Sequence, residues 1–247
     1  MTRNETEVNR LKVAIEASLK DRKENTRTGP STVSNGPISM NAPIVIEKEI
    51  PRIAEKLVIP EWVEIYRVCK PRATQTSGMQ FHDPDALPIL KRMLTQIVEA
   101  EGPLHKDVAA TRLARAWELD RVGERMMNTV KSVWRSLSRE KLLRIQGEFL
   151  WPAAESFQVM VRQPNADDDQ SRRPIDEIPS EEIALAMKNL ARDSLSIERN
   201  KLLVYVARIF GFERAGNHIQ KAMEGTLEEL LEARQLVLLE DRVSLPN

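Results

Sequence analysis

Trp117–Met127 reads WELDRVGERMM, and ninety-odd residues later Phe210–Gln220 reads FGFERAGNHIQ. Superposing Trp117 on Phe210 places Leu119 on Phe212, Asp120 on Glu213, Arg121 on Arg214, Gly123 on Gly216 and Met126 on Ile219. An internal repeat of this kind implies one supersecondary unit written twice. The phrase falls at a turn into a helix, and the two glycines are expected there to allow close packing or a turn that a Cβ forbids.

Outward from the first copy, Ile89, Leu90, Met93, Leu94, Ile97 and Val98 mark the buried face of a helix that Gly102 and Pro103 stop. A second helix is expected from about His105 to Trp117 and a third from about Val122 to Lys141. The periodicity then alternates in LLRIQGEFLWP, where Leu143, Ile145, Phe149 and Trp151 surround Gly147, the pattern of a short hairpin. Three helices and a hairpin are the order of a winged helix, in which the third helix reads nucleic acid. The second copy repeats the order: helices at about 180–193, 199–210 and 215–234, then a hairpin around Glu240 and Asp241. Pro152 and Pro246 end the hairpins.

The fold class expected is therefore mainly α with short β-hairpins: two tandem winged-helix-like domains, at 84–152 and 179–247. Residues 153–178 read as an acidic, proline-bearing linker, and 44–83 as an irregular connecting segment in which Trp62, Ile65 and Tyr66 form a small cluster docking on the domain that follows. Residues 21–43, rich in Thr, Ser, Asn, Gly and Pro, read as a flexible linker. Before it, residues 1–20 carry Val8, Leu11, Ile15 and Leu19 as the stripe of an amphipathic helix.

Charge and composition narrow the function classes. Lys and Arg number 37, as do Asp and Glu, so the formal net charge is zero and any charge-driven partner must be met by a local patch. Cys69 is the single cysteine, which excludes an intrachain disulfide framework and fits a reducing, cytoplasmic setting. Cys69 reads as a buried thiol. No apolar run approaches a membrane span and no signal-peptide core stands at the start. His82, His105 and His218 share no ligand spacing with Cys69, and Asp167, Asp168 and Asp169 read as a solvated loop, so no metal is expected. Neither a phosphate-binding glycine loop nor an activated nucleophile is present, and no cofactor or catalytic activity is expected.

The chemistry lies on the outer face of the third helix. Arg121, Arg125, Asn128, Ser132, Arg135 and Arg139 follow at steps of four and three, with Lys131 and Lys141 flanking, while Val122, Met126, Val130, Val133 and Leu137 line the other side. A charged face opposite an apolar one is what any surface helix shows. Here the sign is biased: from Arg121 to Lys141 six charged residues are basic and two acidic. The matching stripe in the second copy is Arg214, His218, Lys221, Gly225, Glu228 and Glu232, acidic in its C-terminal half.

EGPLHKDVAATRLARAW, RVGERM, GEFLWP and IDEIPSEEIALAM, spread over about residues 80–240, resemble the domain of unknown function at the C-terminus of large prokaryotic helicases that also carry a Vsr-like endonuclease domain and are associated with defence against phage and foreign DNA. RNETEVNRLKVAIEASL is similar to the last helix of that endonuclease domain. The helicase motifs and nuclease core are absent from this sequence, so no catalytic residue carries over and the chain looks like the C-terminal remnant, a separately encoded segment or a fragment of such a protein. The resemblance implies a non-catalytic accessory module of a DNA-processing machine, with DNA, duplex or forked and not read by sequence, as partner. A protein-interaction adaptor docking a helicase or nuclease is the alternative, and a stand-alone winged-helix transcriptional regulator a weaker one. No membrane partner is expected.

Overall fold

A computed structural model of the chain describes residues 59–71 and 79–246. The amphipathic helix expected at 1–20, the linker at 21–43 and most of the segment 44–83 lie outside the described residues. Those described belong to one unit, Ala54–Asn247.

β1 is Val63–Ile65. The first helical set is α1 (Leu87–Glu101), β2 (Leu104–His105), α2 (Lys106–Ala116), α3 (Glu124–Arg139) and the hairpin strands β3 (Leu143–Gln146) and β4 (Phe149–Pro152). β5 (Val161–Gln163) lies between the sets. The second is α4 (Ser180–Ser194), β6 (Ile197–Glu198), α5 (Arg199–Ile209), α6 (Asn217–Glu232), β7 (Val237–Leu239) and β8 (Arg242–Ser244). The last five of these helices match the expected ones to within two residues at every end, and α1 carries the expected apolar face and stops at Gly102. The chain is mainly helical with small sheets, and both hairpins are formed.

The repeat is an element-by-element one. An offset of 93 residues carries Leu87 to Ser180, Lys106 to Arg199, Glu124 to Asn217 and Arg139 to Glu232, the first or last residues of corresponding helices. Each set closes a three-stranded sheet of the same order, β2-β4-β3 and β6-β8-β7. In each, the first amide of the second helix donates to the hairpin turn: Lys106 N to the Glu148 carbonyl at 3.0 Å, Arg199 N to the Asp241 carbonyl at 2.9 Å. Each set also has its own apolar core. Leu90, Met93, Ile97, Leu113, Val130, Val133, Leu137 and Leu150 fill the first, and Ile183, Met187, Leu202, Val206, Met223, Leu227, Leu230 and Val243 the second.

Within the first hairpin, the pairing of Ile145 with Leu150 and of Arg144 with Trp151 puts Leu143, Ile145 and Leu150 on one face and Trp151 on the other. Leu150, rather than Trp151, thus joins Leu143 in the core.

The two glycines of the repeated phrase do not act as expected. Gly123 (φ −85°) and Gly216 (φ −63°) have ordinary extended backbones, and a Cβ at either would meet nothing within 4 Å. They are helix N-caps, a position where glycine is tolerated without any steric demand. Steric demand falls on other glycines: a Cβ at Gly102 would clash with the Val98 carbonyl and approach Pro152 Cδ to 2.5 Å. Gly211 sits at φ +84°, and a Cβ there would approach Pro164 Cγ to 2.6 Å.

The segments flanking the first set are built into the fold. β1 and β5 pair in parallel, Val63 with Val161. Val63 and Trp62 pack on the second core, and the Trp62 Nε1–H donates to Asp193 at 2.6 Å, whereas Tyr66 bonds to Glu101 of the first set, so the segment reaches both sets and not only the one that follows it. Ile65, expected in the cluster, is exposed, and Cys69, expected to be buried, is half-buried.

Beside β1 and β5 lies a buried ionic network. Glu101, the last residue of α1, accepts from the Tyr66 hydroxyl (2.7 Å), the Cys69 amide (2.8 Å) and Arg112 Nε (3.2 Å). Glu182, in the first turn of α4, accepts from Arg162 Nη2 and Arg173 Nη1, both at 2.8 Å. Arg162 is the connection, because its guanidinium also donates to the carbonyls of Glu101, Gly102 and Pro103. It thereby covers carbonyls left unpaired at the C-terminal end of α1, where a cation is favoured. Arg162 and Arg173 lie over the Tyr66 ring at 4.9 and 4.5 Å. Glu101 and Glu182 are completely buried.

Burial alone would raise the Glu182 carboxyl pKa, but the Arg173 and Arg162 guanidiniums reverse this and hold it below the ordinary range. A folded-state pKa below the unfolded one contributes stability above the unfolded value, near 4.3 for glutamate, and loses it as pH falls through the folded value. Stability is therefore expected to fall on acidification below about pH 4.3. Glu182→Gln, which leaves two buried guanidiniums without their counter-charge, is expected to cost about 3–5 kcal/mol in urea unfolding and to remove this part of the acid dependence. Gly211→Ala is expected to cost more than about 1 kcal/mol in the same measurement; a loss of a few tenths would show that the Pro164 contact relaxes freely.

Candidate nucleic-acid interface

α3 is amphipathic by spacing, and its apolar side is taken up by the core. Met126, Val130, Val133, Trp134 and Leu137 are buried. This fixes the rotation of the helix and turns the other side to solvent. Arg121, Arg125, Asn128, Lys131, Ser132, Arg135, Arg139 and Lys141 are all exposed. The structure thus puts the eight sequence-selected residues on one face or at its two ends.

Their cations are uncommitted. Among the described residues, none of Arg121, Arg125, Lys131, Arg135, Arg139 and Lys141 is in an ion pair; Arg139 Nε donates to the Arg135 carbonyl at 3.3 Å, and Ser132 Oγ to the Thr129 carbonyl at 2.7 Å. The one acidic side chain at the helix end, Glu140, is held by Lys91 (2.5 Å) and Ser136 (2.8 Å), which keep its carboxyl below the usual range. Neutralising Glu140 from outside leaves the helix face more basic than the sequence count suggests.

Beside α3 an open hollow of about 300 Å³ runs between the helix and the hairpin, lined by Lys106, Asp107, Met127, Lys131, Trp134, Arg135, Ile145 and Glu148. Lys131 and Arg135 lie on its helix side. Lys106, at the start of α2, adds a third cation, and its Nζ stands 3.4 Å from Glu148 Oε1. Sequence spacing could not select Lys106, because it belongs to another helix and reaches the hollow only through the bond between its amide and the hairpin turn. The hollow is positive but not uniformly so, with Asp107 and Glu148 opposing three cations.

The second set has the same face with its C-terminal half reversed in sign. Lys131, Arg135 and Arg139 correspond to Glu224, Glu228 and Glu232, while Arg121 corresponds to Arg214, Asn128 to Lys221 and Glu148 to Asp241. Glu228, Glu232 and Asp241 are exposed, and among the described residues none is in an ion pair. His218, which replaces Arg125, is 2.8 Å from Asp176. Two faces of one backbone design therefore offer opposite charge over their C-terminal halves.

Residues 79–128 match the model of a family described as a protein of unknown function (DUF3320). The chain is similar to that family over this segment. The match spans α1, α2 and the first turn of α3, taking in Arg121, Arg125 and Asn128 and stopping before Lys131. No curated protein and no solved structure matches the chain. Among the described residues, no helix is long and apolar enough to cross a membrane, and no group of three or more His, Cys, Asp and Glu side chains could hold a metal ion.

Because the stripe side chains are exposed and unpaired, Lys131→Ala and Arg135→Ala are each expected to leave unfolding free energy within about 0.5 kcal/mol of wild type. Trp134→Ala, one position from the stripe but buried, is expected to cost about 3–5 kcal/mol. Chemical unfolding of the three variants measures both; a large loss for the basic residues would mean that the stripe is structural.

Proposed function

We propose that the chain is a non-catalytic, cytoplasmic DNA-binding module, with α3 and the β3-β4 hairpin as a winged-helix reader of duplex or forked DNA. The observation that carries this reading is the row of unpaired, exposed cations on α3 bordering a hollow whose other wall is the hairpin. Phosphates spaced along a duplex need such a row, because each neutralised phosphate releases counterions and contributes to affinity whatever the base sequence. Backbone contacts position without specifying. The spacing names no base sequence, and the proposed binding is through the backbone without sequence preference.

The resemblance of the EGPLHKDVAATRLARAW and IDEIPSEEIALAM phrases to the C-terminal domain of defence-associated helicase and endonuclease proteins supports an accessory role in a DNA-processing or phage-defence system. In that setting the module holds DNA for a catalytic partner. A protein-docking adaptor is the second reading. The acidic face of the second set favours it, since that face repels phosphate.

Four neutralised phosphates give a slope of log affinity against log salt of about −3.6. Fluorescence anisotropy with a duplex and a forked oligonucleotide is expected to yield that slope, reduced to about −1.8 in Arg125→Ala/Arg135→Ala. Undetectable binding to every DNA form at low salt, or a slope that the double variant leaves unchanged, would sink the reading and leave the adaptor.

A further inference from the structure

The two faces fit each other as well as they fit outside partners. On the first set, Lys131, Arg135 and Arg139 run along α3, with Leu142 and Ile145 (48% and 38% exposed) on the adjoining hairpin arm. On the second, Glu224, Glu228 and Glu232 run along α6 at the equivalent positions, with Leu238 and Leu239 (39% and 69% exposed) on the equivalent arm. The α3 row is basic, and the α6 row is acidic over its C-terminal half, where Glu228 and Glu232 are exposed and Glu224 is half-buried and accepts from Gln220 Nε2 at 3.0 Å; Lys221 precedes them. Among the described residues the two rows form no ion pair with each other, so neither is consumed within the chain, and a net charge of zero puts no overall repulsion between copies.

From this we infer that the acidic α6 face docks a second copy of the chain through that copy's basic α3 face. The corresponding positions set Lys131, Arg135 and Arg139 against Glu224, Glu228 and Glu232 along helices of the same length, and Ile145 and Leu238, at equivalent hairpin positions, supply apolar surface beside them. Opposite rows of this kind contribute mainly to encounter rate and register, so the association is salt-sensitive. The contact is heterologous: one copy offers its first set and the next its second. Such an interface leaves a free face at each end and adds further copies unless it closes into a ring. It also shares its basic side with the nucleic-acid face described above, so DNA and a neighbouring copy exclude each other there. The association does not depend on DNA binding.

The experiment is sedimentation velocity on the full chain over a concentration series at 0.1 M and 1 M salt, between which the screening length falls from roughly 10 Å to 3 Å. Wild type is expected to form dimers and larger species that grow with concentration at low salt, with apparent affinity about tenfold or more weaker at high salt. E228K/E232K reverses the acidic half of the α6 face, and R135E/R139E reverses the matching positions on α3. Each variant alone is expected to sediment as a monomer, and an equimolar mixture to associate again. Thermal unfolding of each checks that these exposed changes leave the fold intact. Monomeric wild type throughout the series, association that survives either reversal, or a mixture that stays monomeric would overturn the proposal. E228K/E232K leaves α3 untouched, so its DNA affinity, read by anisotropy, separates the two readings: lost self-association with retained DNA binding supports both, and retained self-association contradicts this one alone.

Discussion

Arg162 is the side chain on which the rest of the described structure depends. Its guanidinium reaches the carbonyls at the end of α1 in the first set and the Glu182 carboxylate at the start of α4 in the second. Arg173, Arg112 and Tyr66 complete the pairing of Glu182 and Glu101. Taking such groups out of water costs several kcal/mol per ion, and the attraction between them repays this only when the remaining donors and acceptors are satisfied. Here they are satisfied from four separate stretches of chain. What the arrangement contributes is geometric: a displaced set would leave a buried charge unpaired, so the two sets keep one relative orientation.

That orientation matters because the two sets differ in surface rather than in skeleton. The 93-residue offset preserves every helix, the sheet order and the amide-to-hairpin bond, since these rest on apolar spacing and turn geometry that both copies retain. The outward row on the third helix is free of those constraints, and there the sign changes from Lys131, Arg135 and Arg139 to Glu224, Glu228 and Glu232. Burying Val130 and Val133 in one copy and Met223, Thr226 and Leu227 in the other fixes which row faces outward. Core packing thus decides position, and the outer residues decide surface charge.

The same separation explains what was legible in the sequence. Helix faces and hairpins come from local periodicity, so Ile89 to Val98, the α3 stripe and the turn at Gly147 could be read from spacing. The exposed row on α3 follows from the same spacing, which is why all eight of its residues fall where expected. The ionic network was invisible because it joins partners far apart in sequence, 61 residues between Arg162 and Glu101 and 35 between Tyr66 and Glu101. An isolated Arg or Glu between prolines looks solvated, since burial of either is rare without a partner. Lys106 was missed for a related reason, its place in the hollow being set by a tertiary hydrogen bond. The glycines misled in the other direction: Gly123 and Gly216 are N-caps with open space around them, while the sterically required Gly211 lies ahead of the repeated helix.

The central claim is a division of labour between two like-folded sets, with nucleic acid met by the first alone. Hydrogen–deuterium exchange of the full chain with and without a duplex reads this directly. Added protection is expected in α3, the β3-β4 hairpin and the first turn of α2, and none is expected on the α6 amides. Protection on α6 equal to that on α3, or protection nowhere at a DNA concentration that saturates binding, would contradict it.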